Sequence, residues 1–454
     1  LKTYPTFQIR SPMAIRVAVT LLPPALLVVI SLWQRMEVTS VISRSETSTR
    51  SLSMIQLKPE LGKATLDMEQ TPYSPAFEQL RMPGADTASE SPSNCPHEDA
   101  GLTPFEDFLA SHDASGDLII SSGRYLLSTS TTVGSLTVAE NAELVMGENL
   151  ELQTRGILVK GLLRAGSETC RVKGLVITFT GNGDKNARST NPLDTKGLVA
   201  GDGGHVEVFG QRFRPTWTRL ATSATAGEST LELMDQVDWE VGQELVVVTT
   251  AWTDEASNHQ NEVRTITAVN GQQVTISEPL QFDHYGGLEY AAEVALLSRT
   301  IRFQGDDSSE SSRYGGHVMC VPGSKCQIAG VLAYRMGQEN VMGRYPFHFH
   351  LMGTVADSFF EDCTVQHSFF RAYTVHGTSS SRVSRNVAYD ISGSAYYLED
   401  GVEEDNLFDY NLAALVHIID RLSDYDNGIT SRLDERRRPS ANPAQPHCAD
   451  GCHG

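Results

Sequence analysis

The feature that most narrows the fold of this chain is a repeat in its last third. Placing "SFFEDCTVQHSFFRAYTVHG" over "SRVSRNVAYDISGSAYYLED" sets Cys363 on Asn386, His367 on Asp390, Ala372 on Ala395, Val375 on Leu398 and His376 on Glu399, always 23 residues apart. One unit earlier, "PFHFH" places His350 over His376 at an offset of 26. A period in the low twenties, built from short β-prone runs, is what one coil of a parallel β-helix requires.

Side chains alternate across a strand, so the register sorts the repeat into two faces. Phe347, Tyr373 and Tyr396 form one inward column, and Phe349, Val375 and Leu398 another. The intervening residues point outward: His348, Thr374 and Tyr397 in one row, His350, His376 and Glu399 in the next. Coils stack about 4.8 Å apart, so the second row is a ladder spanning roughly 10 Å. No hydrophobic requirement explains a His–His–Glu ladder. Imidazoles beside a carboxylate suit general acid–base cleavage of a glycosidic bond, with His350, His376, Glu399 and the adjacent Asp400 as the candidate catalytic set. The bland reading is a polar ladder that only ties coils together.

Further residues join the candidate site as substrate contacts. His348 shares the outward face, and His367 over Asp390 makes a second pair on a neighbouring side. Arg344 and Arg371 each precede a strand and fall near the ladder, where guanidinium forks suit sugar carboxylates. The competing reading ties both arginines to the acidic run 399–405. That run, "EDGVEEDN", has closely packed oxygen donors and a permissive Gly401, so calcium is the candidate cofactor, against a plain solvated turn. No metal-ligand set is assigned in the ladder. Cys448 and Cys452 lie with His447 and His453 in "CADGCHG", but no second cysteine pair completes a metal site there.

Upstream, "GDLIISSGRYLL" to "ILVKGLLRAG" is a succession of short alternating runs, and 223–300 holds five more, from "TLELM" to "AEVALLS". With 37 glycines and 7% aromatic residues, the expectation is an all-β parallel β-helix with a small β-subdomain inserted. Val17 to Trp33 is uncharged and follows Lys2, Arg10 and Arg16, which suits a signal anchor or signal peptide, although a full span needs roughly 20 apolar residues. The expected divisions are 1–34 tail and membrane segment, 35–100 linker, 101–222 first β domain, 223–300 subdomain, 301–420 β-helix and 421–454 irregular tail. A net charge of −20 argues against a nucleic-acid partner. Among seven cysteines, Cys320 and Cys326 flank "VPGSK" and either close a small loop or pack as two small buried residues.

Taken together, "GGHVMC", "YRMGQ", "GRYPFHFHLMG", "HSFFRAYTVHGT", "NVAYDISG" and "YYLEDGVEEDN" resemble the β-helix region of the cell-surface hyaluronidase and fibrocystin-like proteins. The run from "GDLIISSGRYLL" to "GGHVEVFGQRFRPTWTRL" resembles their eight-glycine, or G8, domain. The resemblance spans roughly 101–420. It implies a right-handed, single-stranded β-helix on the cell surface or secreted, hyaluronan-like polysaccharide as partner, and calcium involvement in some members. It leaves two functions open: a glycan depolymerase, or a non-catalytic adhesion or receptor ectodomain. "SGSAYYLED" departs from the family's "GHAFFLED", with Ser394 where a histidine is usual.

Overall fold

The computed structural model describes residues 95–181, 193, 195–252 and 258–419. The expected membrane segment, most of the expected linker and the cysteine–histidine tail lie outside the described residues. Among the described residues no helix is long and apolar enough to cross a membrane.

Short strands separated by turns can bury an apolar face only by stacking on their own neighbours. Here they wind into coils with three flat faces. The third face is an eight-stranded parallel sheet, from Thr131–Thr132 at one end to Leu412–His417 at the other, giving eight coils among the described residues. The first and second faces belong to one 15-stranded sheet, because the strands Asp117–Leu127 and Ser135–Met146 bend around the corner between them. From the third coil onward the same path is split: Gly156–Val159 and Leu162–Ala165 both pair with Ser135–Met146, each starting a separate face. The first face then runs through Gly197–Ala200, His317–Cys320, Phe347–Thr354, Tyr373–Ser379 and Tyr396–Leu398.

Inside the coils, like residues stack on like. Phe347 and Tyr373 lie parallel with ring centres 5.4 Å apart, and Tyr373 and Tyr396 follow at 5.1 Å. Phe349 stacks on Phe360 of the second face at 4.0 Å. Such pairs add about 0.5–1.5 kcal/mol beyond area burial. Both inward columns fall in the expected register. Leu398 alone departs, at 46% exposure. It sits on the eighth coil, and no further described coil covers it.

The corner between the second and third faces is turned by residues in the left-handed region. Asn149, Gly174, Gly330, Asp362, Arg385 and Tyr410 stack there with φ of +53° to +69°. Asparagine side chains fasten the coils near it. Asn386 Oδ1 accepts from Cys363 N–H at 2.9 Å, and Asn411 Oδ1 accepts from Asn386 N–H at 2.9 Å.

The subdomain is an insertion in the fourth coil, between His205–Phe209 and Ile301–Gly305. Its six strands form an antiparallel sheet with its own core around Leu231, Trp239, Ile266 and Val294. It packs on the third face of the last two coils, where Val246, Ala295 and Leu297 meet Val387, Tyr389 and Ala414. Polar contacts fix the junction: Arg214 grips the buried Asp362 carboxylate with both terminal nitrogens, Arg385 Nε donates to the same group at 2.8 Å, and Trp217 Nε1 donates to Tyr410 O at 3.0 Å.

Cys320 and Cys326 form a disulfide, so the loop-closing alternative holds. A second bridge, Cys95–Cys170, ties the start of the described chain to the third coil. Two disulfides place the domain in a compartment that oxidises thiols.

Candidate functional site

The ladder lies on the first face of the sixth, seventh and eighth coils. His350 pairs with His376 across adjacent strands, and Thr374 and Val375 pair with Tyr397 and Leu398, which brings Glu399 beside His376. His376 Nδ1 is 3.2 Å from His350 Nδ1 and 3.8 Å from Glu399 Oε2, while His376 Nε2 is 3.2 Å from Asp400 Oδ2. Desolvation raises the Glu399 carboxyl above the usual carboxylate range, against the pull of Arg371 and His376. His350 and His376 are half-buried, and Asp400 is the exposed member.

His348 points outward as expected but is fully covered. The turn Gly343–Pro346 folds back over it. Gly343, in the left-handed region at φ +81°, presents its carbonyl to His348 Nδ1 at 3.0 Å, and the Tyr345 ring lies 4.8 Å away. A side chain with no exposure cannot serve as a substrate contact in this conformation, which corrects that expectation. Desolvation holds the His348 imidazole well below its ordinary value, with a smaller push from His350.

Arg371 reaches the ladder, yet from beneath. Its guanidinium lies 3.9 Å from the Tyr397 ring centre, donates to Tyr345 Oη at 3.1 Å and approaches Glu399 Oε1 at 3.5 Å. Being 8% exposed, it holds Glu399 in place and does not present a fork to solvent. Arg344 is engaged one coil earlier, where its Nη1 is 3.2 Å from Nε2 of the buried His317. His317 packs so closely over Gly197 that any Cβ there would stand 2.4 Å from the His317 carbonyl oxygen. Neither arginine forms the open cationic patch expected from the sequence.

The second expected pair forms, but on the third face. His367 Nδ1 is 2.5 Å from Asp390 Oδ2, Glu310 approaches His367 Nε2 at 2.9 Å, and His417 Nε2 lies 2.6 Å from Asp390 Oδ1. This chain of charges is separate from the ladder. In the acidic turn, the Glu403 carboxylate accepts from the backbone N–H groups of Gly377, Asp400 and Val402 at 2.9–3.0 Å. It works there as a loop fastener, and calcium gains no support from it.

Comparison with known proteins settles the kinship. One family model, the G8 domain, matches residues 110–221, and another, the CEMIP beta-helix, matches 313–451. Over these two stretches the chain is similar to a G8 domain and to a CEMIP beta-helix, as the resemblance read from the sequence implies. A G8 domain-containing protein of Dictyostelium discoideum is 37% identical over 360 residues, covering 75% of this chain and 24% of that protein. Protein rliB of the same organism is 42% identical, covering 63% and 25%. Mouse Fibrocystin-L is 31% identical, covering 64% and 8%. The chain therefore spans about a quarter or less of the length of these relatives. Among solved structures, the tailspike gp61 of Pseudomonas phage phi297 aligns over 66% of this chain and 57% of its own at 10% identity, with a TM-score of 0.19.

Proposed function

We propose that this chain is the glycan-contacting part of an extracellular protein that binds an acidic, hyaluronan-like polysaccharide and cleaves it at the ladder. The observation that carries the reading is Glu399: a carboxyl kept above its usual range by burial, next to the exposed Asp400 and its partner His376. Glu399 protonates the leaving glycosidic oxygen, and Asp400, steadied by His376, takes the proton from the attacking water. The two disulfides support the extracellular setting.

The test is incubation of the purified chain with hyaluronan and a panel of acidic glycans, with and without calcium, read by size-exclusion. Shortening of one glycan is expected, with Glu399→Gln slowing it by about 10²–10⁴-fold. No shortening of any glycan removes the cleavage. The similarity to Fibrocystin-L favours a second reading, an adhesion ectodomain that binds without cutting. In that case His376→Ala and Glu399→Gln leave glycan binding intact.

A further inference from the structure

We propose that His348, His350 and His376 bind a divalent transition-metal ion of the zinc class on the outer face of the sixth and seventh coils. The three residues each offer one donor atom, and these lie within 4.8 Å of one another. Their convergence follows from the fold: His348 and His350 stand two apart on one strand and so share a side, while the inter-coil register sets His376 directly against His350.

His348 Nε2 has a free lone pair, and His350 Nδ1 and His376 Nδ1 share one hydrogen bond that an ion would replace. Gly343 O accepts from His348 Nδ1, so that nitrogen carries the proton and Nε2 keeps its lone pair. Nε2 is buried and has no hydrogen-bond partner. Asp400 Oδ2 lies 3.2 Å from His376 Nε2, and Nδ1 is the nitrogen that faces His350. A carbonyl or carboxylate behind each ligating imidazole is the usual outer support of a metal site.

The spacing fits as well. With zinc–nitrogen bonds of about 2.0–2.1 Å, neighbouring ligand nitrogens in a tetrahedron stand roughly 3.3 Å apart. His350 Nδ1 and His376 Nδ1 are 3.2 Å apart. The widest pair, at up to 4.8 Å, has to close by up to about 1.5 Å onto an ion. Glu399 Oε2, also buried and unpartnered and 3.8 Å from His376 Nδ1, lines the remaining corner. Thr374 Oγ1, whose residue pairs with His348, is a third buried orphan in this patch. Buried polar atoms seldom go unsatisfied, and three orphans around one imidazole cluster point to a guest that satisfies them. Three imidazoles select zinc, cobalt, nickel or copper over calcium, which takes oxygen donors.

The inference does not rest on glycan cleavage, and its test needs no glycan. The 454-residue chain, with His447, Cys448, Cys452 and His453 replaced to remove the tail as a competing ligand, is stripped with a chelator and dialysed against zinc or cobalt. Metal per chain is read by mass spectrometry, and cobalt coordination by visible absorption. The expected result is one ion per chain, falling to a tenth or less in His350→Ala and in His376→Gln, with the cobalt bands lost. Asp400→Asn, which removes only the outer support, weakens affinity by about 10–100-fold. If His350→Ala fails to fold, the other two variants decide. No ion in the parent, or undiminished binding in the variants that fold, overturns the proposal.

Discussion

The His367 cluster sets a pH dependence of stability that can be worked out in advance. Hydrogen bonding to Asp390 is the largest influence on this imidazole and, with Glu310, raises it from 6.5 to about 9 despite partial burial. Burial alone would raise Asp390, but its bonds to His367 and His417 bring it below the usual carboxylate range. Below pH 6.5 both folded and unfolded chains carry the proton on His367, and the stabilisation is fully present. As pH rises the unfolded chain loses its proton first, and the contribution drains away through about 9. The gap between 6.5 and about 9 sets an upper bound of about 3 kcal/mol. The His367 side chain is 33% exposed and Glu310 is 55% exposed, so solvent screening reduces the contribution to about 1–2 kcal/mol. Asparagine tolerates the left-handed backbone at this position, φ +54°, which makes His367→Asn the clean comparison. Unfolding midpoints of parent and variant are to be measured from pH 6 to 10. Their difference should be largest at pH 6 and close by about pH 10. A difference that stays flat, or widens with pH, refutes the reasoning.

Two more outcomes follow from burial. Asp362→Asn leaves Arg214 and Arg385 facing a neutral amide at 2% exposure and should cost about 3 kcal/mol or more, read as a lower urea midpoint by tryptophan fluorescence. Phe349→Ala empties a fully buried position stacked on Phe360 and should cost about 3–5 kcal/mol by the same measurement, with the ladder's outer groups unchanged in identity.

The register around 347–350, 373–376 and 396–399 was legible because alternation and a near-constant offset act together: once one pair is aligned, every neighbour is fixed. The same logic reached His367 and Asp390. It stopped at His317, because the step from Met319 to His348 is 29 residues, longer than the two steps that follow. Periodicity places His348 on the reachable face, since no periodic signal says that 343–346 folds back over it. The metal-type spacing was present in the string, two histidines two apart on a strand with a third 26 residues on, but only the folded chain shows that His348 Nε2 is unpartnered and that the two Nδ1 atoms face each other. The grip of Arg214 on Asp362 was out of reach altogether, since 148 residues separate partners in different elements.

A stack of coils normally frays from its last turn, each coil held only by the one before it. Here a buttress rooted in the fourth coil lies along the flank of the seventh and eighth, through Trp217, Arg214 and the Val246–Tyr389 contact. Peeling the last described rung loose requires the buttress to lift as well, so loss of order in the seventh and eighth coils should come as one concerted event. The two strands that carry the three imidazoles thus belong to coils of which the later is braced from the third face.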